Sequence, residues 1–395
     1  MRRRLLAAAV LGAAALVASV TSAAERTQTE ALQDMLDTFR DLYGFPGATA
    51  AIALPDGQIV TAATGFADVE ASVPMEPGTR MLAASIGKTF VAATALALEA
   101  EGRLGRDDLL SAHLGTRAWF DRLPNAETIT LGDLLHHTSG LPDHVHMEAF
   151  GAEMAARVAS GDDADGPEAA IAFVLDSEPL FAAGDGWAYS DTGYLLLGLV
   201  LEDVAGETYY DAVTARFLTP LELSDTSPSN LRSIPGLAVG YTAPDNPFGM
   251  PPRTMDDEGA LVWDPAMEWT GGGLASTSRD LAKWGQALFT GAAMEGSYLD
   301  RLLDGVPVSP DAPGVLYGAG VAIYSDTPRG PVYGHGGWIP GYVSSLRHYA
   351  GHELTVAFQI NSDVGIVDDS TDLVPAMEGG LADLAIEFAQ ELGSL

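Results

Sequence analysis

The sequence predicts a mixed α/β fold of the α+β type. One antiparallel sheet is formed by both chain ends and flanked by terminal helices, with an all-helical subdomain inserted between its strands. Three observations carry this expectation. Apolar runs of strand length, joined by turn residues, occur at 48–64 and return only beyond residue 317. The stretch between them reads as helices separated by Pro- and Gly-rich loops. Apolar stripes at helical spacing lie before the first strand and after the last. The expected organisation is a leader over 1–24, a sheet subdomain from 25–94 and 311–395, and a helical insert over 95–310.

The elements follow in order. Met1-Arg-Arg-Arg opens an apolar run to about Val20, and Thr21-Ser-Ala-Ala24 supplies small residues. That is the pattern of a cleaved secretory signal peptide, which predicts a periplasmic or secreted protein. An uncleaved anchor is the weaker alternative, because the small-residue site is well formed, and no later run approaches the ~18 apolar residues of a spanning helix. Leu32, Met35, Leu36, Phe39 and Leu42 mark a helix over 28–43. Runs at 48–54 and 58–64, joined by Pro55-Asp56-Gly57, read as a hairpin. Helix is expected over 81–101, 130–136, 167–177, 191–205, 208–217 and 278–290, with a long loop region at 226–276. Extended segments follow at 317–324, 331–334, 342–349 and 353–361, and an amphipathic helix at 377–392 closes the chain.

Composition narrows the function classes. The formal charge of −34 repels nucleic acid and anionic membranes, so neither is an expected partner. The acidity is spread along the chain and suits a solvated surface in a salty milieu. With no cysteine there is neither a disulfide nor a lipid-attachment thiol, so stability must come from a large core.

Four stretches combine polar groups with turn chemistry. In the first, Ser85-Ile-Gly-Lys88, the chain spends one of its two lysines inside an Ala/Leu-rich helix. Three residues apart on a helix, hydroxyl and amine share a face, which makes Ser85 a candidate activated nucleophile. Ser is also a common N-cap, so the motif alone decides nothing. In the second, Gly184-Asp-Gly-Trp-Ala-Tyr-Ser-Asp-Thr-Gly-Tyr194, Tyr189 and Asp191 can point together into a cleft, although Asp191 could serve only as a cap. The third, Tyr333-Gly-His-Gly-Gly-Trp-Ile-Pro-Gly-Tyr342, is either an ordinary hairpin or a glycine-rich edge where backbone N–H groups meet a substrate. The fourth holds His136, His137, Asp143, His144 and His146, which raises a metal site as a minor alternative. No metal and no cofactor is expected.

The ordered set Ser85-Ile-Gly-Lys88, Tyr189-Ser-Asp191 and His335-Gly-Gly337 resembles the three signature elements of the serine β-lactamase and penicillin-binding-protein superfamily. The likeness is to the class C β-lactamase and D-Ala-D-Ala carboxypeptidase branch, and it extends over roughly residues 30–390. Leu-Leu-His-His-Thr-Ser-Gly-Leu141 and Gly-Gly-Gly-Leu-Ala-Ser-Thr277 add to it. The resemblance implies a β-lactamase/transpeptidase-like fold and an acyl-enzyme on Ser85. Lys88 and Tyr189 would share the proton work. Asp191, His335, Gly336, Gly337 and Trp338 would form the substrate-binding and oxyanion edge, with the N–H groups of Ser85 and Trp338 as oxyanion donors. The implied substrate is a small molecule or a peptidoglycan-type peptide.

Two departures from the family pattern matter. His335 stands where most β-lactamases of this branch carry lysine, so it would donate to a substrate carboxylate only weakly near neutral pH. Asp191 stands where Asn is usual. A carboxylate can only accept hydrogen bonds, and it should hold Lys88 protonated, which favours Tyr189 as the proton acceptor. The leading expectation is a D-Ala-D-Ala carboxypeptidase-like or related peptidase. An esterase or class C-like β-lactamase is the alternative, and a non-catalytic binding or scaffold relative is the alternative of another kind.

Overall fold

The computed structural model describes residues 27–244, 246–364 and 371–393; the expected leader lies outside them. In chain order the first six strands are β1 (Gly47–Ala53), β2 (Ile59–Asp68), β3 (Val73–Pro74), β4 (Met81–Leu82), β5 (Ser227–Pro228) and β6 (Leu274–Ser276). The last six are β7 (Val306–Pro307), β8 (Val315–Tyr317), β9 (Ala322–Tyr324), β10 (Val332–Ile339), β11 (Tyr342–Tyr349) and β12 (Leu354–Ile360). Nine of these pair antiparallel in the order β3-β2-β1-β12-β11-β10-β9-β8-β7. The two chain ends meet where β1 pairs β12, with Ala48 opposite Ile360. Every residue of both strands is buried, because helices cover both faces of the sheet.

On one face lie the helix at 27–43 and the helix Leu373–Gly393. Leu32 and Leu36 from the first and Met377 and Leu381 from the second, all 0 % exposed, share a core with Ile52, Val356 and Phe358. The opposite face is covered by the helix Ser278–Phe289, capped by Thr277, which accepts from the Asp280 N–H. This helix falls inside the expected helical insert, yet its buried Leu281, Trp284 and Leu288 seat it on the sheet side. Gly285 permits the contact, since a Cβ there would lie 2.7 Å from Leu346. Trp284 stacks on Phe90 at 3.9 Å and donates from Nε1 to Thr89 Oγ1 at 2.8 Å, tying the sheet side to the helix Lys88–Ala100. Burial of each of these aromatic side chains contributes on the order of 1.5–3 kcal/mol.

The structure departs from the expected elements in three places that bear on the site. Residues 81–87 are not the start of a helix. β4 pairs β6, a 3-10 turn spans Ala84–Gly87, and the helix begins at Lys88. The backbone here is pressed against 271–276: Ala83 N–H donates to Leu274 at 2.8 Å, and a Cβ on Gly87 would lie 2.4 Å from the Gly272 oxygen. Secondly, 317–324 is not one extended run but the hairpin β8–β9, closed by Gly318 N–H donating to Val321. Gly320 takes φ +69° in this turn and packs over the Lys88 carbonyl, where a Cβ would stand 2.7 Å away. Thirdly, a helix not among those expected, Glu148–Ser160, carries Phe150 and Met154, four apart and buried on one face. No helix among the described residues is long and apolar enough to cross a membrane.

Candidate active site

Ser85 sits on the 3-10 turn ahead of the helix Lys88–Ala100, directly after Ala84, which takes φ +50°. A left-handed alanine is a costly conformation, and the packing of 81–87 against 271–276 holds it. One turn on, Lys88 is 0 % exposed and donates from Nζ to Ser85 Oγ at 3.1 Å. Nζ also donates to the Gly271 carbonyl and forms an ion pair with Asp191 Oδ1. The Gly271 turn reaches this point because Gly198 lets the helix Asp191–Ala205 approach it closely; a Cβ on Gly198 would meet Thr270 Oγ1 at 2.4 Å.

Asp191 is not the cap of its helix. Ser190 holds that position and accepts from the Gly193 N–H at 3.3 Å, leaving Asp191 free to face Lys88. The positive end of the helix dipole favours the carboxylate there. Burial lowers the pKa of the Lys88 ammonium; Asp191, with Tyr189 beside it, outweighs that, and the pKa ends above the ordinary lysine range. Tyr189 faces the same ammonium, with Lys88 Nζ 4.9 Å from its ring centroid. Its buried hydroxyl interacts with Lys88 and Ser85, without a hydrogen bond of regular geometry among the described residues. Burial raises the phenol above its usual pKa, and Lys88 partly counters that. A hydroxyl touching an ammonium, with a carboxylate behind and a phenol beside it, can form a stabilised alkoxide and pass its proton on.

β10 supplies the opposite wall. Its pairing with β9 ends at Gly334, opposite Ala322, so among the described residues the strand has no pairing partner on that side from His335 onward. Gly337 packs against the Ser85 turn, where a Cβ would lie 2.4 Å from the Ala83 carbonyl, and Ser344 Oγ on β11 donates to that same carbonyl at 2.8 Å. Between this edge and the helices lies a cleft of about 530 Å³ lined by Ser85, Tyr189, Asp191, His335, Gly336, Gly337 and Trp338. Seven of the eight site residues expected from sequence therefore border one cavity, and Lys88 lies beneath it. The remaining wall is largely apolar, with Phe150, Met154, Phe248, Met250 and Trp263.

The beta-lactamase family profile matches residues 32–378, which is most of the chain. The chain belongs to the beta-lactamase family. It is similar to penicillin-binding protein 4* of Bacillus subtilis, at 26 % identity over 347 residues, 84 % of this chain and 71 % of that one. It is also similar to the D-aminopeptidase of Brucella anthropi, at 27 % over 345 residues, 86 % of this chain but only 60 % of that longer protein. Among solved structures, a D-stereospecific amidohydrolase from Streptomyces sp. superposes with a TM-score of 0.71 at 28 % identity, covering 86 % of this chain and 94 % of its own. The protein is thus a serine hydrolase of the β-lactamase and penicillin-binding-protein superfamily.

Within this family member the histidines have structural partners. His335 differs from the weak carboxylate donor expected of it, because both ring nitrogens are engaged. Nδ1 faces the Gly336 carbonyl, so it carries the hydrogen, and Nε2 accepts from Tyr317 Oη at 2.8 Å. Burial, and then Lys88, push its pKa down to about 3, so the ring is neutral. His136 spends its nitrogens on the Gly132 and Asp304 carbonyls, and His144 Nδ1 meets Thr192 Oγ1 at 3.0 Å. His137 accepts from the Ser190 N–H at 3.2 Å and packs against Tyr189 with ring centroids 4.2 Å apart, so it buttresses the phenol from behind.

Sequence reasoning passed over two carboxyls in the cleft. Burial, with Asp191 adding to it, pushes Asp143 up to about 7. Burial pushes Glu268 up to about 8, and its Oε2 has no partner among the described residues. Asp143 stood in a quoted motif but was weighed only as a metal ligand. Glu268 lies in a loop with no readable pattern.

Proposed function

We propose that this chain is an exported serine hydrolase that works through an acyl-enzyme on Ser85, as a D-Ala-D-Ala carboxypeptidase-like or related peptidase. The observation that carries this reading is the Ser85–Lys88 contact at the floor of a cleft whose far wall is the free edge of β10. Ser85 Oγ attacks the scissile carbonyl, and the Ser85 and Trp338 N–H groups receive the developing oxyanion. Tyr189 takes the serine proton as the Lys88 ammonium stabilises the phenolate, then returns it to the leaving nitrogen. Lys88 is a poor first acceptor because Asp191 keeps it charged. These ionisations are coupled, so the set titrates as a unit. The names of two relatives, a D-aminopeptidase and a D-stereospecific amidohydrolase, support an amide-bond substrate with D-configuration.

A second reading, an esterase, is favoured by Asp191 alone, since a carboxylate cannot donate to the carbonyl of an acyl-amide substrate; a class C-like β-lactamase is the further alternative. A panel separates the two: a D-Ala-D-Ala peptide, a D-amino-acid amide, a p-nitrophenyl ester and a cephalosporin, each against a Ser85→Ala control. Turnover of the peptide or amide above the others, lost in the control, supports the peptidase. Turnover confined to the ester or cephalosporin rejects it.

A further inference from the structure

Acylation of Ser85 leaves an ester that a water must open, and that water needs a proton acceptor of its own. Most groups around Ser85 are already committed. Tyr189 serves the first half-reaction, Lys88 is held charged by Asp191, and Asp191 is spent on Lys88. Asp143 accepts from the Val145 N–H at 3.2 Å. Glu268 lines the same cleft without such a tie. Its inward oxygen, Oε2, is unpaired among the described residues, and burial rather than any hydrogen bond governs its ionisation.

A tight turn brings this carboxyl to the nucleophile. The Glu268 N–H donates to the Pro265 carbonyl at 3.1 Å, and the Glu268 carbonyl accepts from the Gly271 N–H at 2.6 Å. Trp269, the next residue, takes φ +37°. A bulky side chain enters that region only under strain, of the kind that gathers at functional sites. Gly272 then leaves a gap: a Cβ there would stand 2.5 Å from Glu268 Oε1 and 2.3 Å from the carbonyl oxygen of Ala84, the residue before Ser85. Oε1 therefore packs beside the backbone of the nucleophile turn, where any larger residue would displace it. On the other side, a Cβ on Gly271 would lie 3.8 Å from Glu268 Cγ and 3.6 Å from Asp191 Oδ1. The side chain is half-buried on the wall of the cavity that holds Ser85. The charged and titratable groups that face it are Lys88, Asp191 and Tyr210 of the helix Tyr209–Val213.

We propose that Glu268 is the general base of deacylation, its carboxylate taking a proton from the water that attacks the Ser85 ester. This rests on the acyl-enzyme reading above and assigns the half-reaction which that reading leaves open. The water oxygen bonds to the ester carbon as one water proton passes to Oε1. The tetrahedral intermediate then collapses, the bond from carbon to Ser85 Oγ breaks, and the proton held by Glu268 goes to Oγ. The acid departs, and both Ser85 and the carboxylate are restored. Burial places the Glu268 carboxyl at about 8, opposed by the Lys88 ammonium, so its base form grows through the range in which the enzyme would work. An acceptor left without a partner is costly to the fold, and it is also what keeps Glu268 free to accept.

Rapid mixing with p-nitrophenyl acetate separates the two half-reactions, because nitrophenol appears on acylation whereas turnover waits on deacylation. The wild-type deacylation rate should rise with pH toward a plateau above about pH 8. Glu268→Gln should keep a stoichiometric burst, accumulate an acetyl group on Ser85 visible by mass spectrometry, and lose that pH dependence. Its steady-state rate should fall by about 10²–10⁴-fold. Steady-state turnover within about threefold of wild type would assign the water's proton to another group and overturn the proposal. Loss of the burst would overturn it too, by placing Glu268 in acylation or in the fold. A wild-type deacylation rate that is flat from pH 6 to pH 9 would overturn it without any variant. Failure of the wild type to acylate at Ser85 is a separate result: it rejects the hydrolase reading, and this proposal falls with it.

Discussion

Replacing Asp191 by asparagine removes the carboxylate that keeps a fully buried lysine charged. Lys88 is 0 % exposed, and its other close contacts, the Gly271 carbonyl, the Ser85 hydroxyl and the Tyr189 ring, are neutral. Breaking a buried ion pair from one side costs about 3–5 kcal/mol when the remaining charge persists. In the wild type the folded pKa of Lys88 lies above the unfolded one, so its stabilising contribution is complete below about pH 10.5 and declines above that. Asp191→Asn reverses the sign. Burial then dominates, the folded pKa drops below the unfolded one, and the unfolded chain binds the extra proton. Stability of the variant should rise with pH by about 1.4 kcal/mol per unit between those two values. Urea unfolding followed by tryptophan fluorescence at pH 7 and pH 9.5 reads both effects. A variant as stable as wild type at pH 7, or one that loses further stability at pH 9.5, would refute the pairing of Lys88 with Asp191 as its source of charge.

Two further outcomes follow from the same geometry. Tyr189→Phe removes the proposed proton acceptor without emptying the cleft, and stopped-flow acylation should slow by about 10²–10⁴-fold; a rate within threefold of wild type would assign the proton to another group. Glu268 has its folded pKa raised to about 8 from an ordinary 4.5, so the folded state holds a proton that the unfolded state has released, and stability falls as pH rises across that window. Glu268→Gln should therefore be more stable than wild type at pH 8, with the gain fading toward pH 5; a gain that does not depend on pH would contradict this.

The sheet was legible because its strands carry their own signals. The 48–54 and 354–360 runs sit between two helical layers, so burial on both faces shows as largely apolar sequence. The entry to Ser85 was not legible, since Met81–Gly87 has helix-compatible residues and only contact with Gly272 and Leu274, some 190 positions away, bends it into strand and 3-10 turn. The nucleophile region, Tyr189 and the β10 edge could be read from ordered motifs. The state of His335 could not, because sequence shows an imidazole but not the Tyr317 hydroxyl that occupies it.

The central claim is that Ser85 is the residue acylated. Incubation with a fluorophosphonate and, separately, with a penicillin, followed by peptide mass spectrometry, tests it most directly. The account predicts one adduct per chain on the peptide that contains Ser85, and none in Ser85→Ala. An adduct on another residue, or no adduct with either reagent on folded protein, would contradict it.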